Sequence, residues 1–185
     1  MTSFLGVPAY ELESGEIMLD PKYYQEYLEK FEEGILGDKT KSFIVLLLGS
    51  TGMPIRGRIL LIKEAFLFLQ DLKGVLIDPP ELFFFPHKYG PYSRYLINKL
   101  KELRIEGIIS IENNKILLNE NGKRIFNRMK RTYTAEALQS IVDYRIRLDQ
   151  KGTDGIMKVV YERFSEYTVK SRVRERYISK KKQNK

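Results

Sequence analysis

Apolar and polar residues alternate along this chain with several distinct periods, and each period predicts an element. Behind Asp20-Pro21, a cap followed by a proline suited to a first helical turn, Tyr24, Tyr27, Leu28 and Phe31 recur at helical spacing. They predict a helix to about Glu33, with Gly34 and Gly37 as its stop. Residues 38–48 form a second predicted helix, capped by Asp38 or Thr40 and uninterruptedly apolar from Phe43 to Leu48; Gly49-Ser50-Thr51-Gly52 ends it. Pro54 then opens a third helix to about Leu72. Its Ile55, Ile59, Leu60, Ile62, Phe66, Leu67 and Leu69 occupy so many sides that it is expected at the centre of the core. Residues 73–87 hold three prolines and read as a loop, with a short strand over Leu82 to Phe85.

The next stretch, Lys88 to Leu118, combines a turn, a helix and a hairpin without a gap. Tyr89, Gly90 and Pro91 form the structural turn, in which proline fixes φ and the residue before it is glycine, so a helix is expected to start near Pro91. Along it Tyr92, Leu96, Leu100 and Leu103 share an apolar face, while Arg94, Asn98 and Lys101 fall on the opposite one. Gly107 stops the helix. Ile108 to Ile111 and Lys115 to Leu118 read as two strands joined through Glu112-Asn113-Asn114, because asparagine tolerates positive φ.

Beyond the hairpin, Asn119 or Asn121 caps a helix to about Arg131, and another is expected from Thr134 to about Leu148. Lys151-Gly152 and Asp154-Gly155 mark a break before a last helix, Ile156 to about Tyr167, with Val159, Val160 and Phe164 inward. Met1 to Leu19 shows no clear period and reads as irregular with one short strand. The expected class is therefore mainly α with a small β-hairpin, an α+β protein. Helix followed at once by hairpin is the order of a winged helix-turn-helix core, here with extra N- and C-terminal helices. Its expected divisions are an acidic extension over residues 1–37, the core over 38–131, a helical extension over 132–178 and a basic disordered tail over 179–185.

Charge sharpens this picture. Residues 1–36 contain two basic and eight acidic side chains, a net of −6; the whole chain carries +8, so the remainder carries +14. Dense basic clusters lie at Lys123, Arg124 and Arg128 with Lys130 and Arg131, and in the tail from Lys170 to Lys185. Such fields attract polyanions, nucleic acid foremost. The chain contains no cysteine, which fits a reducing compartment and gives no disulfide framework. The N-terminal residues lack signal-peptide order, and the longest apolar run is about a third of a membrane span. A soluble cytoplasmic protein without a membrane partner is expected. The absence of Cys and Trp beside many Lys, Glu and Ile residues is compatible with a thermophile.

Catalytic signals are sparse. The one histidine, His87, sits between Pro86 and Lys88 with no evident nucleophile and reads as a turn residue holding a hydrogen bond. The segment Gly49 to Pro54 lacks the Gly-Lys-Ser/Thr of a phosphate loop, and Tyr89, Tyr92 and Tyr95 suit packing better than covalent chemistry. No catalytic residue, metal, cofactor or small-molecule substrate is expected. Ser93, Arg94, Asn98 and Lys101 are instead placed to meet bases and phosphates of duplex DNA, with Lys115 contacting from the hairpin and Lys123, Arg124 and Arg128 adding cationic surface. RNA fits the same charges. The alternative is a protein-binding module, antitoxin-like or an adaptor in a replication, transcription or ribosome-associated complex, acting on a protein partner or as a homodimer.

One resemblance accompanies this reading. Gly57-Arg58, Leu61, Lys63 and Phe66 to Leu69, then Tyr89-Gly90-Pro91-Tyr92-Ser93, then Leu96, Leu100, Leu103 and Gly107-Ile108-Ile109, resemble archaeal winged-helix proteins related to the phage-associated, Panacea-type antitoxin domain family. The segment Val160 to Phe164 with Glu166 to Ser171 is similar to the closing helix of those members. The resemblance covers about residues 40 to 175. It implies a DNA-binding or partner-binding module without enzymatic activity.

Overall fold

Local chemistry sets the helix starts in the computed structural model, which describes residues 2–4, 7–11, 14 and 17–178. The chain is a mainly helical α+β protein with small antiparallel sheets. It divides into two compact units, one ending at Asp38 and the other beginning at Lys39. Among the described residues no helix is long and apolar enough to cross a membrane.

In the first unit, strands β1 (Thr2–Phe4), β2 (Val7–Glu11) and β3 (Ile17–Leu19) form an antiparallel sheet in that order. An irregular segment with one strand was expected. Strands of three to five residues are too short to display the alternation that identifies a half-buried strand. Asp20 then caps α1 (Pro21–Gly37), its carboxylate accepting a hydrogen bond from the Lys22 N–H at 3.0 Å with Pro21 at the start of the helix. The helix continues one turn beyond the expected end at Glu33, since a glycine within a helix weakens it without ending it.

The second unit is built on two helices buried nearly all round, α2 (Lys39–Gly49) and α3 (Gly57–Asp71). Phe43 to Leu48 and Leu60 to Phe68 are all buried, which is why their apolar patterns lack a polar stripe. The expected start of the third helix at Pro54 moves later. Ile55–Arg56 instead forms a short strand, β4, and Gly57, at φ +83°, turns the chain from strand into helix. Ile59, expected inside, is 43% exposed in the first turn of α3.

After α3 comes a hairpin of β5 (Phe85–His87) and β6 (Gly90–Tyr92), joined by Lys88 and Tyr89. Pro91 therefore lies in a strand, and the expectation that it opens a helix is corrected. The register sets Pro86 opposite Pro91, so two residues without an N–H share one non-hydrogen-bonded site of the ladder. The helix, α4 (Arg94–Ile105), begins three residues later with Ser93 as its cap. It leads into β7 (Ile109–Glu112) and β8 (Lys115–Leu118), with Asn113 and Asn114 at φ 49° and 60° in the turn, as their side chains predict. β4 adds a third strand to give the order β4-β8-β7.

Asn119 caps α5 (Glu120–Met129), which packs on α2 and closes with a 3₁₀ turn over Lys130–Thr132. Helical structure then runs from Ala135 to Arg163 as α6, broken at Gly152, where the expected gap over residues 151–155 narrows to one non-helical residue. Its buried side chains include Ile156, Met157, Val160 and Tyr161, and α6 packs on α3. The predicted last helix ends at Arg163 rather than Tyr167, followed by a 3₁₀ turn over Ser165–Thr168 and the short α7 (Arg174–Tyr177). Lys180, Lys181, Lys182 and Lys185, expected in a disordered tail, lie outside the described residues.

Candidate functional site

Helix α4 separates its faces cleanly. Leu96, Leu100 and Leu103 are essentially inaccessible, while Arg94, Asn98 and Lys101 are exposed along one stripe that ends at Ile105. The one carboxylate of the helix, Glu102, and that of its C-cap, Glu106, are both engaged beside that stripe. Glu102 meets Lys99 at 3.0 Å and Lys41 at 3.1 Å, and Glu106 meets Lys41 at 2.6 Å, joining α4 to α2. Among the described residues, no carboxylate pairs with Arg94 or Lys101. Arg94 also occupies the first helical position with no acidic residue in the first turn, against the preference of a helix dipole by roughly 0.3–1 kcal/mol. The outward stripe therefore presents uncompensated positive charge with an amide in its middle.

Ser93 does not join this surface. It is fully buried, and its Oγ accepts the Leu96 N–H at 3.4 Å, so its hydroxyl caps α4 and is taken out of reach of a base or phosphate. The residue positions Arg94 instead.

On the three-stranded sheet, Lys115 pairs in register with Arg56 on one side and with Glu112 on the other. Directly opposite residues point to the same face, so Arg56 and Lys115 stand side by side while Ile55 and Ile116 are buried. Like charges so placed are mildly destabilising. Arg58, exposed one residue beyond Gly57, extends the group. Arg56 was not singled out from the sequence, and Arg58 only as part of the resemblance, not as a site residue. The signal was present in Arg-Gly-Arg, but only the pairing of β4 with β8 brings Arg56 to Lys115.

The α5 cluster is less uniform than its composition suggests. Lys123 and Arg124 are exposed and Arg128 is half-buried, and Lys123 is bonded to Glu120 at 2.6 Å. It lies on a different helix from the α4 stripe.

The Tyr89-Gly90-Pro91 segment is clamped from two sides, and this clamp sets where α4 begins. Lys63, buried on α3, donates from Nζ to the Pro91 carbonyl at 2.7 Å. The Lys88 carbonyl accepts from the Arg172 N–H at 2.9 Å and from Ser171 Oγ at 3.1 Å, while Tyr161 OH and Ser171 Oγ lie 2.5 Å apart. Gly90 is at φ +88°, and a Cβ there would stand 3.3 Å from the Tyr161 ring. His87 belongs to β5 and stacks on Tyr92 at 4.6 Å, rather than sitting in the turn. Burial first, then Lys88, Lys63 and Arg94, lower its pKa.

Burial also lowers the Lys63 ammonium from 10.5 to about 7. A neutral amine still donates to Pro91, so the bond persists through the titration. Between those two pH values the unfolded chain holds a proton that the folded chain lacks, and stability rises with pH. An increase of roughly 3 kcal/mol is expected between pH 7 and 9.5, as an upper bound set by this group alone. Chemical denaturation of the wild type and Lys63→Met over that range should show the wild type gaining stability relative to the variant as pH rises. Parallel slopes would mean that Lys63 remains charged when folded.

Compared with protein-family models, curated proteins and solved structures, the chain matches none.

Proposed function

We propose that the chain is a non-enzymatic winged-helix protein that binds duplex DNA, with α4 as the reading helix and the β7–β8 hairpin as the wing. The observation that carries the reading is the stripe of Arg94, Asn98 and Lys101, exposed and without a carboxylate partner among the described residues, while Glu102 of α4 and its C-cap Glu106 are tied to lysines. Arginine bonds guanine in a bidentate manner, asparagine bonds adenine likewise, and lysine neutralises phosphate. Element order supports it. α2, β4, α3, α4, β7 and β8 follow one another with β4 joined to β8, the succession by which a winged helix closes its sheet. In this reading β5 and β6 are an insertion ahead of the reading helix. The kinship with antitoxin-type winged-helix proteins and the placement in regulation or DNA organisation belong to the same proposal.

Fluorescence anisotropy with labelled duplex DNA tests it. Affinity should fall with salt at a log–log slope of about −0.9 per phosphate contacted. Arg94→Ala and Asn98→Ala should each remove about 1–3 kcal/mol of discrimination between a preferred and a scrambled site, whereas Lys115→Ala should weaken both alike. Absence of association at micromolar protein and low salt would transfer the surface to the second reading, a protein-binding module. That reading is favoured by Ile105, which is 86% exposed in the same stripe.

A further inference from the structure

Where α3 begins, beside the β7–β8 turn and the C-terminal segment, lies a pocket of about 510 Å³. That volume falls within the range of small-molecule sites. Its lining is mostly apolar and includes Ile59, Met157 and Val173, together with Tyr89 and Tyr177. This accounts for the exposed Ile59: it is part of a concave surface rather than of the packed core.

The charged groups that line this apolar space are all cationic. Arg56, Arg58 and Arg176 contribute to the lining, no carboxylate among the described residues does, and Asn114 supplies an amide and Thr153 a hydroxyl. Arg176 is already held, 3.2 Å from Asp154, with Tyr177 OH donating to the same carboxylate at 2.6 Å. Arg56 and Arg58 have no ion-pair partner among the described residues. An anion entering the pocket therefore meets two available guanidinium groups, which suit the planar, bidentate geometry of phosphate oxygens. Tyrosine rings offer faces for a planar ring, and an asparagine amide both donates and accepts, as the edge of a nucleobase requires. The Asn114 amide is also near the helix start: a Cβ on Gly57 would lie 2.9 Å from its Nδ2.

We propose that this pocket binds a ring-bearing phosphate monoester of the mononucleotide class, its phosphate on Arg56 and Arg58 and its ring between the apolar wall and a tyrosine. The site is separate from the α4 stripe and does not depend on the DNA reading. Adenosine and inorganic phosphate each satisfy only half of it.

Isothermal titration of the full chain with AMP, GMP, adenosine and inorganic phosphate tests the assignment. At least one mononucleotide should bind saturably and about tenfold or more tighter than either adenosine or phosphate. Arg58→Ala, at an exposed position, should weaken that binding by about tenfold. Met157→Trp should abolish it by filling the space, with far-UV circular dichroism confirming the fold. Arg94→Ala should leave it unchanged, while the anisotropy assay with Arg94→Ala reports on the DNA reading alone. The proposal is overturned if neither nucleotide saturates by roughly 1 mM. It is equally overturned if adenosine or phosphate binds as tightly as the nucleotide, if Arg58→Ala binds like wild type, or if Arg94→Ala removes binding.

Discussion

Arg145→Ala should lower the unfolding free energy by about 3–5 kcal/mol, one of the two largest effects expected from a single substitution here. Arg145 is fully buried, its Nε lies 3.1 Å from Glu64 Oε2, and it also bonds Asp149 one turn along α6. Truncation leaves Glu64, 1% exposed on α3, without its cation. Burial already pushes the Glu64 carboxyl up to about 7, against the opposing pull of Arg145 and with a further push from Asp149. Removing the guanidinium drives it higher.

The pH dependence follows from the sign of that shift. A folded-state value above the ordinary 4.5 means that the folded chain binds the proton more tightly than the unfolded one, so Glu64 reduces stability as pH rises between 4.5 and about 7. Protonation removes the stranded charge. Urea denaturation should accordingly find a larger loss in Arg145→Ala at pH 8 than at pH 5.5, and Glu64→Leu with Arg145→Met should restore most of it. A loss below about 1 kcal/mol at both pH values would show that the pair contributes little beyond packing.

Gly90→Val should reduce stability by roughly 3 kcal/mol. Positive φ strains a β-branched residue by about 1–3 kcal/mol. The added Cβ also comes to 3.3 Å from Tyr161 Cε2 and 3.6 Å from Lys63 Cε, in a clamp with little room to move. For a chain of this size that corresponds to a melting temperature lower by roughly 6–12 °C. Because Gly90 lies three residues ahead of the Ser93 cap, the start of α4 should shift, and the DNA binding proposed for that helix should weaken as well. Arg94→Ala, on the exposed side, should change stability by less than about 0.5 kcal/mol. A Gly90→Val chain that melts and binds like wild type would separate the turn from the helix it is argued to set.

Most helix positions were legible because their determinants are local. Asp20 and Asn119 cap where expected, Gly107 follows α4, and Asn113-Asn114 turns the hairpin, since each depends on the conformational range of one or two residues. The two faces of α4 were equally legible from spacing, except that Tyr92, expected on the apolar one, lies in β6. Pro91 misled because proline suits either a first helical turn or an edge strand, and only pairing with Phe85–His87 selects the strand. Ser93 was assigned to the surface because its capping role depends on where the helix begins.

The sequence by itself determined the helical framework, the hairpin, the α4 stripe and the imbalance of charge, all of which follow from periods and single-residue preferences. Tertiary structure decided which charges are buried and which are adjacent. Lys63, Glu64 and Arg145 read as ordinary polar positions until α3 and α6 enclose them. Arg56 meets Lys115 only because β4 pairs with a strand some 60 residues further along the chain. The pocket likewise joins residues from Arg56 to Tyr177. Such contacts are fixed by which surfaces exclude water together, a property of the packed chain that no local period encodes.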